Sequence, residues 1–158
     1  MQPAEGMFDT PEMAALFSAE GHLRRLLDFE GALARAEAAA GLIPPTAARA
    51  ITAACQVGRY DVPALFREAA VAGTPVIPLV RLLSAEVAGD AGRFVHWGAT
   101  SQDTIDSALM LQMRDGLDLI ERDLRALASA CAAHAERHRH TPMAGRTLLQ
   151  RRCRSRSG

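Results

Sequence analysis

One short segment carries a histidine, two adjacent hydroxyls, an amide and a carboxylate where a loop leads into a long helix. Residues 96–103 read His-Trp-Gly-Ala-Thr-Ser-Gln-Asp. Thr100 or Ser101 can act as the N-cap of the helix, which places Gln102 and Asp103 in its first turn. Free backbone N–H groups and the positive end of the helix dipole converge there. The segment therefore predicts a site that holds a carboxylate without a metal.

Each side chain of this segment also has an ordinary structural interpretation. Ser or Thr followed by Asp is common at any capped helix start, and a loop histidine is often only a hydrogen-bonded structural group. As a site, Thr100 and Ser101 would bind a carboxylate, and the amide of Gln102 would add a donor. His96 would transfer a proton or bind substrate. Asp103 is expected to stabilise the helix.

A long helix must position this segment. From residue 102 onward, a stripe of mostly apolar residues recurs every three or four positions, which predicts one helix packed in a bundle. At about 1.5 Å per residue it would extend roughly 55 Å, and Pro142 ends it. The preceding residues cannot cover it, so its stripe needs other helices or subunits. The stripe consists of Ile105, Leu109, Met113, Leu117, Ile120, Leu124, Leu127, Cys131, His134 and His138.

Capping residues and prolines predict shorter helices upstream. They cover 10–18, 18–41, 45–56, 61–72 and 78–88, with a short extended piece between Pro75 and Pro78. No alternation of strands and helices and no Gly-rich phosphate loop occurs. The predicted fold is all-α, with at most an extended pair around 94–97 and 144–148. We expect an N-terminal helical domain over 1–100, the long helix and a second motif over 101–150, and a tail over 151–158.

Composition excludes several classes of function. The 158 residues suffice for a domain with a core. All acidic residues precede residue 151, whereas four of the 18 Lys and Arg residues follow Gln150. The body is therefore net acidic, which argues against a nucleic-acid partner. No apolar run of about 18 residues suggests a membrane span. The beginning does not resemble a secretory signal, so a cytoplasmic protein is expected.

The cysteines and histidines do not predict a metal site. Cys55, Cys131 and Cys153 are widely spaced, which favours neither a disulfide framework nor zinc. Cys131 lies on the apolar stripe and is expected in the core. His134 and His138 have the spacing of two ligands on one helical face, but no third ligand is evident. We expect no metal.

Two spaced motifs resemble the fumarase/aspartase superfamily. Residues 96–103 resemble its first signature region, and 145–150, Gly-Arg-Thr-Leu-Leu-Gln, resemble the start of the second. Residues 28–37, followed by Gly-Leu-Ile-Pro at 41–44, resemble its opening. Within the superfamily the likeness is greatest to the muconate cycloisomerases, with adenylosuccinate lyases next. It implies a homotetramer with a central helical bundle and covers 1–150 of a longer design.

The resemblance implies that a small tricarboxylate, 3-carboxy-cis,cis-muconate, is closed to carboxymuconolactone in protocatechuate degradation, without a cofactor. A related substrate with a sulfonate in place of one carboxylate also stays open. His96 is then the catalytic candidate, and Thr147 would be a further binding hydroxyl. Arg146 offers a planar fork for carboxylates, or an ion pair within the protein. Leu148 replaces the proton-transferring histidine of the adenylosuccinate lyases, which argues against their chemistry.

The third signature of this superfamily, a Ser-Ser-x-Met-Pro-x-Lys-x-Asn loop with the proton-transferring serine, does not occur in the 158 residues. Little turnover is therefore expected from this chain. Two alternatives stay open. One is a C–N lyase similar to adenylosuccinate lyase, and the other is a non-catalytic helical interaction module.

The Arg- and Ser-rich tail departs from the superfamily pattern. After Gln150 that pattern continues as Gln-Ala-x-Pro, whereas here Arg-Arg-Cys-Arg follows. Deleting one nucleotide from a CAG codon at position 151 converts Gln-Ala-Leu-Pro-Val-Pro-Phe-Gly into the observed tail. We expect a disordered frameshift product rather than a basic arm that binds nucleic acid.

Overall fold

A computed structural model of the chain describes the backbone of residues 9–147 and 150–156 and the side chains of residues 9–142. The predicted all-α architecture is confirmed for its main body. The helices are α1 (Pro11–Leu16), α2 (Ala19–Ala39), α3 (Pro45–Ala54), α4 (Val62–Ala72), α5 (Val76–Glu86) and α6 (Ser101–His138). The 3-10 helices Val57–Arg59 and Gly89–Phe94 lie in connections, and strands β1 (Pro142–Thr147) and β2 (Gln150–Arg156) follow α6.

Side-chain caps start three of the helices where the sequence predicts them. Thr10, Ser18 and Asp61 each accept a hydrogen bond from the N–H three residues later, at 3.2, 3.0 and 2.9 Å. These bonds satisfy donors that the first turn of a helix leaves free. Gly73 ends α4 with a φ of 75°, a conformation that glycine adopts without strain.

The core lies around α2, which contacts α3 and α4. Its largest fully buried apolar side chains are those of Leu23, Leu26, Leu27, Ile51, Leu65, Val76, Leu79 and Leu83. The contribution of aliphatic side chains from four helices explains why few aromatic residues suffice.

The first turns of α6 pack on α1 and α2 through small and polar residues. The Gln112 amide donates to the carbonyl oxygen of Leu16 at 2.9 Å, and its Oε1 lies 2.8 Å from Nδ1 of His22. A Cβ at Gly116 would lie 3.5 Å from the ring of Phe17. The buried residues of this row recur at every fourth position, and they are Thr104, Ala108, Gln112 and Gly116.

The predicted apolar stripe forms part of α6 but stays exposed. The chain divides between Gly116 and Leu117 into two units, and exposed apolar residues of the stripe occur in both. Leu109, Met113, Leu117, Ile120, Leu124 and Leu127 are between 43% and 60% exposed. Cys131 is also exposed, so its expected place in the core is wrong. The cause is that the described residues provide no helix to pack against this part of the stripe.

Three predicted irregular segments differ in the structure. Pro75 has helical φ and ψ of −73° and −18°, and α5 begins at Val76, because the fixed φ of proline suits the start of a helix. Residues 94–97 form no strand, since a 3-10 helix ends at Phe94 and a turn with a left-handed φ at His96 follows. The tail, expected to be disordered, contains regular structure, because Gln150–Arg156 pairs antiparallel with β1. This pairing satisfies backbone groups that a disordered end would leave to water.

Gly92 permits the close approach of the 3-10 helix Gly89–Phe94 to α5. A Cβ at this position would lie 2.4 Å from the carbonyl oxygen of Ser84. We therefore expect Gly92→Ala to lower the free energy of unfolding by about 1–3 kcal/mol in urea titrations, the usual cost of overpacking. Gly58→Ala is the matched control, because Gly58 lies in the other 3-10 helix with nothing within 4 Å of its Cβ position. Equal losses in both variants would contradict this account.

Candidate active site

The first turn of α6 presents unpaired backbone donors. The Thr100 N–H donates to the Asp103 carboxylate at 3.0 Å, and the Asp103 N–H donates to the Thr100 carbonyl oxygen at 3.0 Å. Within the described residues, the N–H groups of Ser101 and Gln102 have no partner. Thr100 is exposed and Ser101 half-buried. The turn can therefore receive an anion through two N–H groups and two hydroxyls.

The loop before this turn contains a strained residue. His96 has a φ of 58°, in the left-handed region that side chains other than glycine rarely adopt, and Gly98 follows with a φ of 71°. Such strain persists only where surrounding contacts fix the residue, and it is concentrated at functional sites. The reversal of the chain at 95–98 leads directly to the start of α6.

A buried carboxylate of α2 fixes His96. Oε1 of Glu30 lies 2.8 Å from Nδ1 of His96 and accepts the hydroxyl of Thr104 at 3.2 Å. Glu30 is 1% exposed. The hydrogen bond to Glu30 is the main cause that raises the pKa of His96, against the opposing effect of burial, and the charges of Glu30, Asp103 and Glu37 add to it. The imidazole is thus held toward its positively charged form beside the helix start.

Two further titratable groups of this region have raised pKa values. Burial raises the pKa of Glu37, Glu30 raises it further, and His96 lowers it. Burial also raises the pKa of Cys55 to about 12, with Glu30 as the second cause. A thiol with this pKa is not a nucleophile at neutral pH.

A family model described as "Lyase" matches residues 6–155. The chain belongs to this lyase family. A 3-carboxy-cis,cis-muconate cycloisomerase of Pseudomonas putida is 53% identical over 149 residues, which are 92% of this chain and 35% of that protein. An N-acetyl-S-(2-succino)cysteine lyase of Enterococcus italicus is 37% identical, over 89% of this chain and 30% of that protein.

The crystal structure of a 3-carboxy-cis,cis-muconate lactonizing enzyme from Pseudomonas putida matches with a TM-score of 0.89 at 50% identity, over 98% of this chain and 36% of that one. The chain thus spans about a third of the length of these relatives. This chain therefore has the fumarase/aspartase type of fold of the lyase family. It corresponds to the N-terminal part of its relatives.

The predicted site residues of this lyase-family chain fall into two groups. His96, Thr100 and Ser101 occupy one loop and helix start. Gln102 also lies in this turn, but its amide donates to Asp106 at 2.6 Å and would have to leave that contact to reach a ligand. Arg146 and Thr147 belong to β1, and their side chains, like Leu148 as a whole, lie outside the described residues. Trp97, in the loop before this helix start, is 52% exposed and has its ring 6.0 Å from that of Phe94.

His134 and His138, whose spacing would suit two metal ligands, contact each other on α6. His134 and His138 stack with ring centroids 6.2 Å apart. Among the described residues, no group of three or more His, Cys, Asp or Glu side chains could hold a metal ion.

Over the same residues, no helix combines the length and hydropathy that crossing a bilayer requires.

Sequence reasoning assigned no function to Glu30 or to Thr104. A signal for Glu30 exists in the sequence, because a carboxylate interrupts the apolar residues Leu23, Leu26, Leu27 and Ala34 on that face. A buried acid is costly unless it is hydrogen-bonded. The spacing alone does not reveal the partner of Glu30, because His96 lies 66 positions later in the sequence.

The contact between Glu30 and His96 makes stability depend on pH. Because the pKa of His96 is raised above its ordinary 6.5, its stabilising effect is complete below that value and is lost as pH rises through the raised pKa. We expect the stability advantage of the wild type over His96→Asn to shrink between about pH 6 and about pH 9 in urea titrations. His134→Asn is the control, because it removes an imidazole ring from an exposed position. An advantage that is constant across this range would contradict the charged pair.

Proposed function

We propose that this chain is part of a cycloisomerase that closes 3-carboxy-cis,cis-muconate to carboxymuconolactone, a step of protocatechuate degradation in the β-ketoadipate pathway. The observation that carries the proposal is the start of α6, where unpaired N–H groups, two hydroxyls and His96 form a receptor for carboxylates. The name of the relative at 53% identity supports the choice of substrate. The proposed setting is the cytoplasm, which suits the free thiols Cys55 and Cys131.

The reaction requires that negative charge be stabilised while it moves. A carboxylate oxygen of the substrate adds to its own C=C bond, so a C–O bond forms and the π electron pair moves toward the neighbouring carbon and its carboxylate. A proton then adds to that carbon. The N–H groups of Ser101 and Gln102, at the positive end of the α6 dipole, would stabilise the carboxylate as it gains charge.

The remaining residues divide the work as follows. The hydroxyls of Thr100 and Ser101 and the Nε2 of His96 contact substrate carboxylates, and His96 is the candidate for proton transfer within this chain. Gln102 adds a donor from the same turn. Arg146 and Thr147 stay candidate donors to a carboxylate through their resemblance to the second signature region. The superfamily signature with the proton-transferring serine does not occur in these residues, so the 158-residue chain by itself would have little turnover.

A lyase is the second candidate. The relative named as an N-acetyl-S-(2-succino)cysteine lyase is 37% identical, and elimination from a succinyl group also needs a carboxylate receptor and a stabilised aci-carboxylate. The adenylosuccinate-lyase type of this chemistry is disfavoured by Leu148, which cannot transfer a proton.

An ultraviolet assay with 3-carboxy-cis,cis-muconate tests the proposal. A longer version that continues after Gln150 with the remaining sequence of the Pseudomonas putida relative is expected to consume the substrate, and the 158-residue chain to do so far more slowly. In the longer version, Ser101→Ala should lower kcat/KM about tenfold or more, since a hydrogen bond to a charged group contributes about 1.5–3 kcal/mol. Ser129→Ala is the control, because Ser129 lies on the same helix with its hydroxyl bonded to the Arg125 carbonyl oxygen.

Two results would contradict this proposal. Inactivity of both versions toward the muconate, with folded protein, would favour the interaction module or, given activity on a succinyl thioether, the lyase. Turnover by the 158-residue chain at the rate of the longer version would refute the need for further segments.

We also propose that the exposed stripe of α6 packs against other copies of the chain, as in a homotetramer. Contiguous exposed apolar residues mark interaction surfaces, and the exposed apolar residues of the stripe are Leu109, Met113, Leu117, Ile120, Leu124 and Leu127. The inward face of α6 is already buried at Thr104 and Gln112, so the two faces have separate functions.

Replacing two residues of the stripe tests this assembly. Sedimentation velocity should show association of the wild type that increases with concentration, and Leu117→Glu with Leu124→Glu should abolish it without loss of helical circular dichroism, because charge opposes apolar burial. Val71→Glu is the control, since Val71 is 92% exposed on α4. A wild type that stays monomeric at every concentration would refute the assembly.

A further inference from the structure

We propose that Glu30 is a positioning residue for the candidate site. Through one oxygen it holds both His96 and Thr104, and thereby fixes the imidazole relative to the first turn of α6 with Nε2 left for an anionic ligand. This inference deepens the proposed function and rests on it for the nature of the ligand. It concerns a residue that touches no substrate and acts through its neighbours.

The geometry of Glu30 links the two parts of the site. Its Oε1 lies 2.8 Å from Nδ1 of His96 and 3.2 Å from the hydroxyl of Thr104. Thr104 lies one turn after Ser101 on α6, so a single buried atom contacts both the loop and the helix. A shift of either element would break one of these bonds.

The contact also selects the ring nitrogen that faces a ligand. With Nδ1 donating to Glu30, Nε2 is the remaining nitrogen of His96, and the described residues provide no hydrogen bond to it. A partner on one imidazole nitrogen sets the tautomer and the ring orientation. It also compensates the left-handed φ of 58° at His96, which needs fixed surroundings to persist.

The position of Glu30 argues for a role beyond packing. It is 1% exposed among leucines, and its Oε2 is buried with no partner in the described part of the chain. An apolar residue there would fill the core without this desolvation cost. The cost of leaving Oε2 of Glu30 unpaired is therefore explained by the two groups that Oε1 contacts, His96 and Thr104.

The test must account for every charged group that faces His96. These are Glu30 and Glu37 from α2 and Asp103 from α6. Cys55, after α3, stays a neutral thiol, since its pKa is raised to about 12. Glu37→Gln is the matched control for Glu30→Gln, because Glu37 is a buried acid of the same helix that acts on His96 by charge.

Nitrogen-15 NMR of the histidine rings in the 158-residue chain provides the first readout. In the wild type we expect His96 to carry its proton on Nδ1 when neutral and to titrate above 6.5. Glu30→Gln should lower the midpoint by about one unit or more, and Glu37→Gln by clearly less, because removal of a hydrogen-bonded charge has the larger effect.

Calorimetric binding of tricarballylate, a stable tricarboxylate, provides the second readout. At a pH between the His96 midpoints that NMR gives for the two proteins, Glu30→Gln should bind this probe about tenfold more weakly than the wild type. At a pH below both midpoints the two should differ little, because His96 is protonated in both. A purely structural role would weaken binding equally at both pH values.

Several results would overturn the inference. A His96 midpoint that moves no further in Glu30→Gln than in Glu37→Gln, in folded protein, would do so, as would a loss of affinity independent of pH. If Glu30→Gln does not fold, the tautomer of His96 in the wild type decides. A neutral His96 that carries its proton on Nε2 has no proton on Nδ1 to donate to Glu30, and this result would overturn the inference. A wild type that binds no tricarballylate would contradict the proposed function instead and leave the NMR comparison to decide the role of Glu30.

Discussion

The contact on which the candidate site depends is the pair of hydrogen bonds to one buried oxygen of Glu30. These bonds join α2, the loop at His96 and the first turn of α6 at Thr104. In water such bonds would contribute little, but inside the fold each is stronger, and loss of one partner leaves a buried carboxylate without compensation. The core of the helical domain and the geometry of the site are therefore set by the same residue, and each constrains the other.

The two faces of α6 show a second constraint, which is that one helix presents a buried and an exposed face with residues of different size. Its row of Thr104, Ala108, Gln112 and Gly116 permits close packing and specific hydrogen bonds within the chain. Leucine at Gly116 would collide with Met13 and Phe17, whose atoms lie 3.6 and 3.5 Å from a Cβ at that position. The larger apolar residues consequently lie on the other side, where further helices would have to be supplied. Residue size thus separates intrachain contacts from contacts with other segments.

Most helices could be predicted from the sequence because their signals are local. Ser18 and Asp61 cap the helices that follow them, and the three- and four-residue spacing of the stripe predicts α6 correctly. The same spacing did not indicate which face of α6 is buried within the chain, because the more apolar face stays exposed while Thr104 and Gln112 are buried. At the site, His96, Thr100 and Ser101 were predicted from adjacency and capping. The partner of His96 was not, since its contact joins residues 66 positions apart, and the strand at Gln150–Arg156 was missed because arginine-rich sequence favours no regular structure.

The charges around the start of α6 give a reason for an imidazolium at His96. Asp103 and Asp106 lie in the first two turns, and both would repel a substrate with several carboxylates. Asp103 is occupied with the Thr100 N–H, a contact that stabilises the helix but removes one donor from the site. The dipole of the helix offers roughly half an elementary charge, which does not balance two carboxylates. Glu30, buried behind His96, favours the positive form of the ring, which offsets part of this negative charge on the side that a ligand would approach. In the proposed site, the buried acid of α2 thus adds a positively charged ring to a capped helix start.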